Sequence, residues 1–223
     1  MNSYKVYRGE LVELSLSGHI HFSGMLIDTG PDIMVIYNGH DFIYIPIIHI
    51  QYVNFEYENK NNNDIAKPDD IPIGDRQASI SFRKILNNAK GIFTEIYVTG
   101  QQSIHGYITN IMNDYFVFYS PVYKTMFIPL HHLKFLKPYN SHERPYALDN
   151  EELPLTPSTV SLSRTFEEQC KKYIGKITIF DMGHDPTKIG KLTKIENSQI
   201  ELVIARQQAI SINSNHVKSL HFP

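Results

Sequence analysis

Residues 21–53, HFSGMLIDTGPDIMVIYNGHDFIYIPIIHIQYV, decide how this chain is read, because two later stretches say nearly the same thing. They are SIHGYITNIMNDYFVFYSPVYKTMFIPLHHLKFL at 103–136 and TKIGKLTKIENSQIELVIARQQAISINSNHVKSL at 187–220. Their marker glycines, Gly24, Gly106 and Gly190, lie 82 and 84 residues apart, and a histidine follows each by 25 or 26 positions, at His49, His132 and His216. A fixed period of this kind marks an architecture made of copies, whose function follows from how the copies are arrayed.

Within the first copy, Glu10 to Ser17 alternates apolar and polar residues with period two, placing Val12, Leu14 and Leu16 on one face before Gly18 permits a tight turn. Strands are then expected at 19–28, 33–37, 42–45 and 49–55, which makes five per unit. A glycine at the same mid-strand place in three copies implies a bend or a close backbone approach. Pro46 and Pro129 remove a ladder donor between the fourth and fifth strands, where hydrogen bonding would break and the chain turn. The third copy has Ile212-Asn-Ser-Asn215 there instead, and a longer first hairpin around Asp181-Met-Gly-His-Asp-Pro186.

The sequence between copies is polar. Residues 58–78 and 139–161 read as linkers, the first rich in Asn and Asp, the second carrying Pro145, Pro154 and Pro157. A short helix is expected after each, with Ser79 capping Phe82, Ile85 and Leu86 up to Gly91, and Ser163 or Thr165 capping Phe166, Cys170 and Tyr173 up to Gly175. The expected organisation is all-β with short helices: three tandem five-stranded barrels at 1–57, 79–138 and 162–223, the last two including their helices.

A helix followed by five bent strands with an apolar-x-Gly-x-apolar signal resembles the Sm-like fold of LSm proteins and Hfq. The residues that carry the resemblance are Phe22-Ser-Gly24-Met-Leu26, Ile104-His-Gly106-Tyr-Ile108 and Lys188-Ile-Gly190-Lys-Leu192, with Asn38-Gly39 at a strand turn. The closing pattern Phe42-Ile-Tyr-Ile-Pro-Ile-Ile-His-Ile50 and Met126-Phe-Ile-Pro-Leu-His-His-Leu133 is similar to small proteins of spore-forming bacilli, some of the spore coat, and implies a role in sporulation or coat assembly. The Sm base pocket uses an acidic residue six positions after the glycine and an asparagine ten after it, with an Arg-Gly pair between strands four and five. Here those places hold Gly30 and Met34, Met112 and Phe116, Glu196 and Ile200, and Ile45-Pro46 and Ile128-Pro129 stand near the Arg-Gly position. The resemblance therefore extends to the fold and not to base recognition.

Formal net charge is −2, poor material for a polyanion binder. Residues 1–78 carry 5 basic against 11 acidic side chains, 79–163 carry 7 against 6, and 164–223 carry 9 against 6. The acidic first unit disfavours a sequence-independent RNA groove, so RNA stands second to protein partners or self-association through strand edges. In Sm rings that edge joins neighbours, and three linked units are compatible with a partial ring, a compact trefoil or half of a dimeric pseudo-hexamer. Tyr37, Tyr44, Tyr52, Tyr57, Tyr107, Tyr115, Tyr119 and Tyr123 are read as interface material in a chain without Trp.

No apolar run reaches ~18 residues and the start lacks the basic-then-apolar plan of a secretory signal, so no membrane and a cytosolic site of synthesis are expected. Cys170 is read as a buried apolar side chain. No GxSxG, P-loop or CxxC occurs, and Asp28-Thr-Gly30 appears once without a second copy, which argues for no catalytic residues and no cofactor. His19 and His21, expected on one strand face, with His40 or Asp41 at a distance, are the only metal candidates; inter-barrel hydrogen bonds are the preferred role for histidines, and no metal is assigned. For His49, His132 and His216 a structural hydrogen bond at the corner opened by proline is expected.

Overall fold

The computed structural model describes residues 3–55, 65, 66, 68, 71–74, 79–99, 102–140, 142, 143, 145–147 and 160–223. Among them the chain is all-β with short helices. The first copy supplies β1 (Leu11–Leu16), β2 (Ile20–Thr29), β3 (Ile33–Tyr37), β4 (Phe42–Pro46) and β5 (Ile50–Asn54). Helix α1 (Phe82–Asn88) precedes β6 (Phe93–Tyr97), β7 (Ile104–Ile111), β8 (Tyr115–Ser120), β9 (Lys124–Pro129) and β10 (Phe135–Pro138). Helix α2 (Phe166–Lys171) precedes β11 (Ile177–Phe180), β12 (Ile189–Glu196), β13 (Gln199–Val203), β14 (Ala209–Asn213) and β15 (Leu220–His221). The expected strands thus form nearly at their expected limits. The period-two pattern of β1 buries Val12, Leu14 and Leu16 completely.

Three devices recur at matching positions. A Cβ on Gly24, Gly106 or Gly190 would lie 2.5, 2.0 or 2.7 Å from the carbonyl oxygen of Tyr37, Tyr119 or Val203, so only glycine lets the second and third strands approach so closely. The register then slips between Leu26 and Asp28, Ile108 and Asn110, and Leu192 and Lys194, leaving Ile27, Thr109 and Thr193 as bulge residues that bend the strand. The hydroxyls of Thr109 and Thr193 donate across the bulge to the carbonyls of Val117 and Glu201 at 3.3 and 3.0 Å. Between the fourth and fifth strands a single 3-10 turn spans Ile47–His49, Leu130–His132 and Ser214–His216. Pro46 and Pro129 enter it at φ −59° and −58°; Asn213 enters at −75° and replaces the proline by accepting from the Asn215 amide, 2.9 Å.

Some local expectations shift. Helix α1 is capped by Ser81 and not Ser79, its hydroxyl accepting from Lys84 N at 3.4 Å; Thr165, and not Ser163, caps α2 through Glu168 N. Both helices end before Gly91 and Gly175, at φ +76° and +91°; Gly9, at φ +90°, holds the matching place in the first copy and escaped the sequence reading. His19 lies outside β2, in the turn, at φ +59°. The linker expectations fall largely outside the described residues.

The chain divides into two compact units, Met1–Ile96 with Lys134–Glu143, and Tyr97–Leu133 with Arg144–Pro223. They do not follow the three copies one for one, because β10 and most of β6 belong to the first unit and β7, β8 and β9 to the second. In the first unit the strand order is β6-β10-β4-β3-β2-β1-β5; in the second it is β7-β8-β9-β15-β11-β12-β13-β14. The first and third copies therefore have the same internal order, fourth-third-second-first-fifth. Neither closes its own ladder: the first strand pairs with both second and fifth, and the fourth pairs outward with β10 in the first copy and ends the strand order in the third.

The core of the second unit packs Phe166 and Cys170 of α2 against Phe127, Leu192, Leu202 and Leu220. Burial pushes the Cys170 thiol far up from its ordinary range, as befits an apolar core atom. Tyr44 and Tyr115 are core residues too, a correction to their reading as interface tyrosines. The Tyr44 hydroxyl donates to the Ile73 carbonyl and accepts from its amide, 2.8 and 3.0 Å, and Tyr115 donates to Ser163 O at 2.8 Å. Tyr52 stays exposed, and Tyr57 lies outside the described residues.

Candidate functional site

The fourth strand of one copy meets the fifth strand of the next. In the first unit β4 pairs antiparallel with β10, Tyr44 opposite Leu136; in the second, β9 pairs antiparallel with β15, Phe127 opposite Leu220. Tyr44 and Phe127 each stand five residues before the recurring histidine, and Leu136 and Leu220 each stand four after it. The two junctions are thus one junction made twice, in one register.

Backbone alternation explains why these residues face outward. Leu130 N donates to Asp114 O at 2.8 Å and Ile47 N to Asp32 O at 3.0 Å, so residues an odd number of places back, Phe127 and Tyr44, turn their amides away from the third strand. The same bond closes the third copy, Ser214 N to Ser198 O at 2.8 Å, and places Ser211 of β14 in the equivalent outward position. A second tie joins successive copies. Asp32, eight residues after Gly24, accepts from Phe82 N at the start of α1, and Asp114, eight after Gly106, accepts from Phe166 N at the start of α2, both at 2.8 Å. These aspartates went unnoticed in the sequence, although their shared offset from the glycine was visible.

Two lateral strands lie at the ends of these orders, β5 in the first unit and β14 in the second. β5 reads IQYVN, with Tyr52 and the preceding Ile48 exposed, and β14 reads AISIN, with Ala209, Ser211 and Asn213 exposed. Neither carries a charge or a proline, the usual devices that keep a strand edge from pairing.

The recurring histidines end the 3-10 turns beside these junctions. His132 Nε2 lies 3.1 Å from Asn215 O, joining the turn of the second copy to that of the third; His49 Nδ1 lies 3.5 Å from the Ser17 hydroxyl, and His216 is exposed. Burial, with His131 alongside, lowers the His132 pKa from 6.5 to about 4. The unfolded chain therefore takes up a proton that the folded chain resists. The His132 contribution is complete above pH 6.5, declines as the pH falls, and is lost by about pH 4. We expect the acid-side fall of the urea midpoint between these values to flatten in His132→Gln; an unchanged slope would assign the acid sensitivity elsewhere.

The other candidates do not assemble. His19 leaves the strand face of His21, and His40 is hydrogen-bonded to Asp41, 2.8 Å, which raises its pKa. Among the described residues no three His, Cys, Asp or Glu side chains converge as a metal site requires. Asp28 of the Asp-Thr-Gly triplet is buried, ion-paired with Arg8 and accepts from Thr29 N at 2.7 Å. Met34, Phe116 and Ile200, at the asparagine place of the Sm pocket, are buried core residues, and Glu196 is exposed beside Lys194. No helix among the described residues is long and apolar enough to cross a membrane.

The features define a class: a β-rich tandem-repeat protein whose copies are joined edge to edge. Comparison with known proteins gives the family. The YwrJ third domain matches residues 165–220, from the cap of α2 to β15. The chain is 46% identical over 214 residues, 95% of its own length and 95% of the relative's, to the Bacillus subtilis (strain 168) protein bearing the name "Uncharacterized protein YwrJ". It belongs to the YwrJ family.

Proposed function

We propose that this chain is a non-enzymatic assembly protein of three Sm-like repeats that works by adding strand to strand. The observation that carries the reading is the repeated junction of β4 with β10 and β9 with β15 in one register, together with two lateral strands of the same kinds, β14 and β5, that bear no charge or proline. A strand edge binds another edge through backbone groups alone, so the partner with the matching geometry is the β5 edge of a second copy against β14. By equivalence Ser211 would stand opposite Val53 of that copy, and Ile212 opposite Tyr52. The sporulation or coat role implied by the closing-pattern resemblance belongs to this reading as its biological setting.

Ser211→Pro is the direct test, because it removes one outward amide and leaves the inward ladder to β13 complete. Sedimentation of the wild type and this variant, each checked for folding by circular dichroism, should show the larger species only in the wild type. Equal sedimentation would overturn edge pairing. The rival function, RNA binding, would declare itself as tight single-stranded RNA binding that weakens steeply with salt.

A further inference from the structure

A recess of about 410 Å³ opens in the second unit where β9 meets β15. Its floor is aromatic: Tyr173 lies over Phe222 with ring centroids 4.1 Å apart, and Phe127 stands 5.9 Å from Tyr173 and 6.2 Å from Phe222. Ile177 forms part of the wall and is 51% exposed, with Ile174 nearby in sequence at 46%. Two ammonium side chains, Lys124 and Lys176, belong to the same lining, which among the described residues includes no Asp or Glu side chain. Lys176 Nζ sits 5.7 Å from the Tyr173 ring, and Lys124 Nζ donates to the Pro121 carbonyl at 2.9 Å.

The recess is not a requirement of the junction. At the matching places of the first unit, thirteen residues before the marker glycine and seven after the histidine, stand Phe93 and Tyr139, which pack edge to face at 4.9 Å and bury Phe93. In the second unit those places hold Ile177 and Pro223, which line the recess beside Tyr173 and Phe222. An apolar hollow of this size, with a few polar groups of one sign at its margin, has the chemistry of a small-molecule site.

We propose that this recess binds a small amphiphilic monocarboxylate, its apolar body lying on Tyr173 and Phe222, which rest on the buried Phe127, and its carboxylate meeting the Lys176 and Lys124 ammonium groups. The aromatic faces supply area, and the ammonium groups select the anion over a neutral or cationic molecule with the same body.

Titration calorimetry on the intact chain with decanoate, decanol and 3-phenylpropionate tests this. Decanoate should saturate at one per chain below its micellar range, and Lys176→Gln with Lys124→Gln should weaken it by about tenfold, the size of one charge-assisted hydrogen bond, while decanol is unaffected. Preference for 3-phenylpropionate over decanoate would assign an aromatic body, the reverse an aliphatic one; either supports a carboxylate site. Equal binding of decanoate and decanol to the wild type would overturn anion selection. Absence of saturable binding by both carboxylates would overturn the site. Ile177→Glu, a substitution at an exposed position, gives an independent check, since it puts a repelling charge into the wall and should abolish carboxylate binding in a folded protein.

Discussion

Replacing Gly106 by alanine is expected to cost about 3 kcal/mol, the upper range of overpacking a strained site, because the new Cβ would sit 2.0 Å from the Tyr119 carbonyl oxygen. That oxygen is fixed by the β7–β8 ladder, Tyr107 opposite Tyr119, and cannot retreat as a side chain would. The ring of Phe118 crowds the same place at 2.9 Å. The other two markers rank behind it, Gly24 at 2.5 Å and Gly190 at 2.7 Å, so urea midpoints should fall in the order Gly106→Ala, Gly24→Ala, Gly190→Ala, greatest loss first. Gly91→Ala is the contrast: nothing lies within 4 Å, and its cost, about 1 kcal/mol, comes only from φ +76°. If all four variants unfolded at the same midpoint, steric approach would not be why the glycine recurs.

The second large effect is expected at Asp181. Its buried carboxylate accepts from the amides of Lys218 and Ser219 at 2.6 and 3.2 Å and pairs with Lys188, fastening the end of β11 to the approach of β15. Its own amide donates to Ser219 O at 3.0 Å. Asp181→Ala leaves two amides without their acceptor and a lysine without its counter-ion, and should lower stability by about 3 kcal/mol. Asp181→Asn keeps an acceptor for the two amides and loses the ion pair, so it should fall between. Thermal denaturation of the three proteins checks the order; an alanine variant as stable as the wild type would show that this carboxylate fastens nothing.

Much of this was legible because side chains announce it. The period appears in the glycines and histidines, and the strands in the alternation of Val12, Leu14 and Leu16. The third copy drops the proline and substitutes Asn213, whose side chain caps the same turn, a replacement readable from turn chemistry once the alignment of copies is made. What could not be read is the pairing of β4 with β10 and of β9 with β15, since edge-to-edge hydrogen bonds use backbone groups that every residue carries. Tyr44 and Tyr115 misled for a related reason: a tyrosine suits an interface and a core equally, and only the partners of its hydroxyl distinguish them. Alternation runs through His19 and predicts a strand there, whereas the turn at Gly18 carries one residue further, into left-handed backbone. Asp32 and Asp114 look like ordinary turn residues until the helix that each receives is in view.

Light scattering of the untagged chain on a size-exclusion column, with absorbance at 260 and 280 nm, bears most directly on assembly through strand edges. The account predicts a mass at a whole multiple of 25.7 kDa above one, with the absorbance ratio of protein alone. A single 25.7 kDa species at every concentration, or a peak that carries nucleic acid, would contradict it.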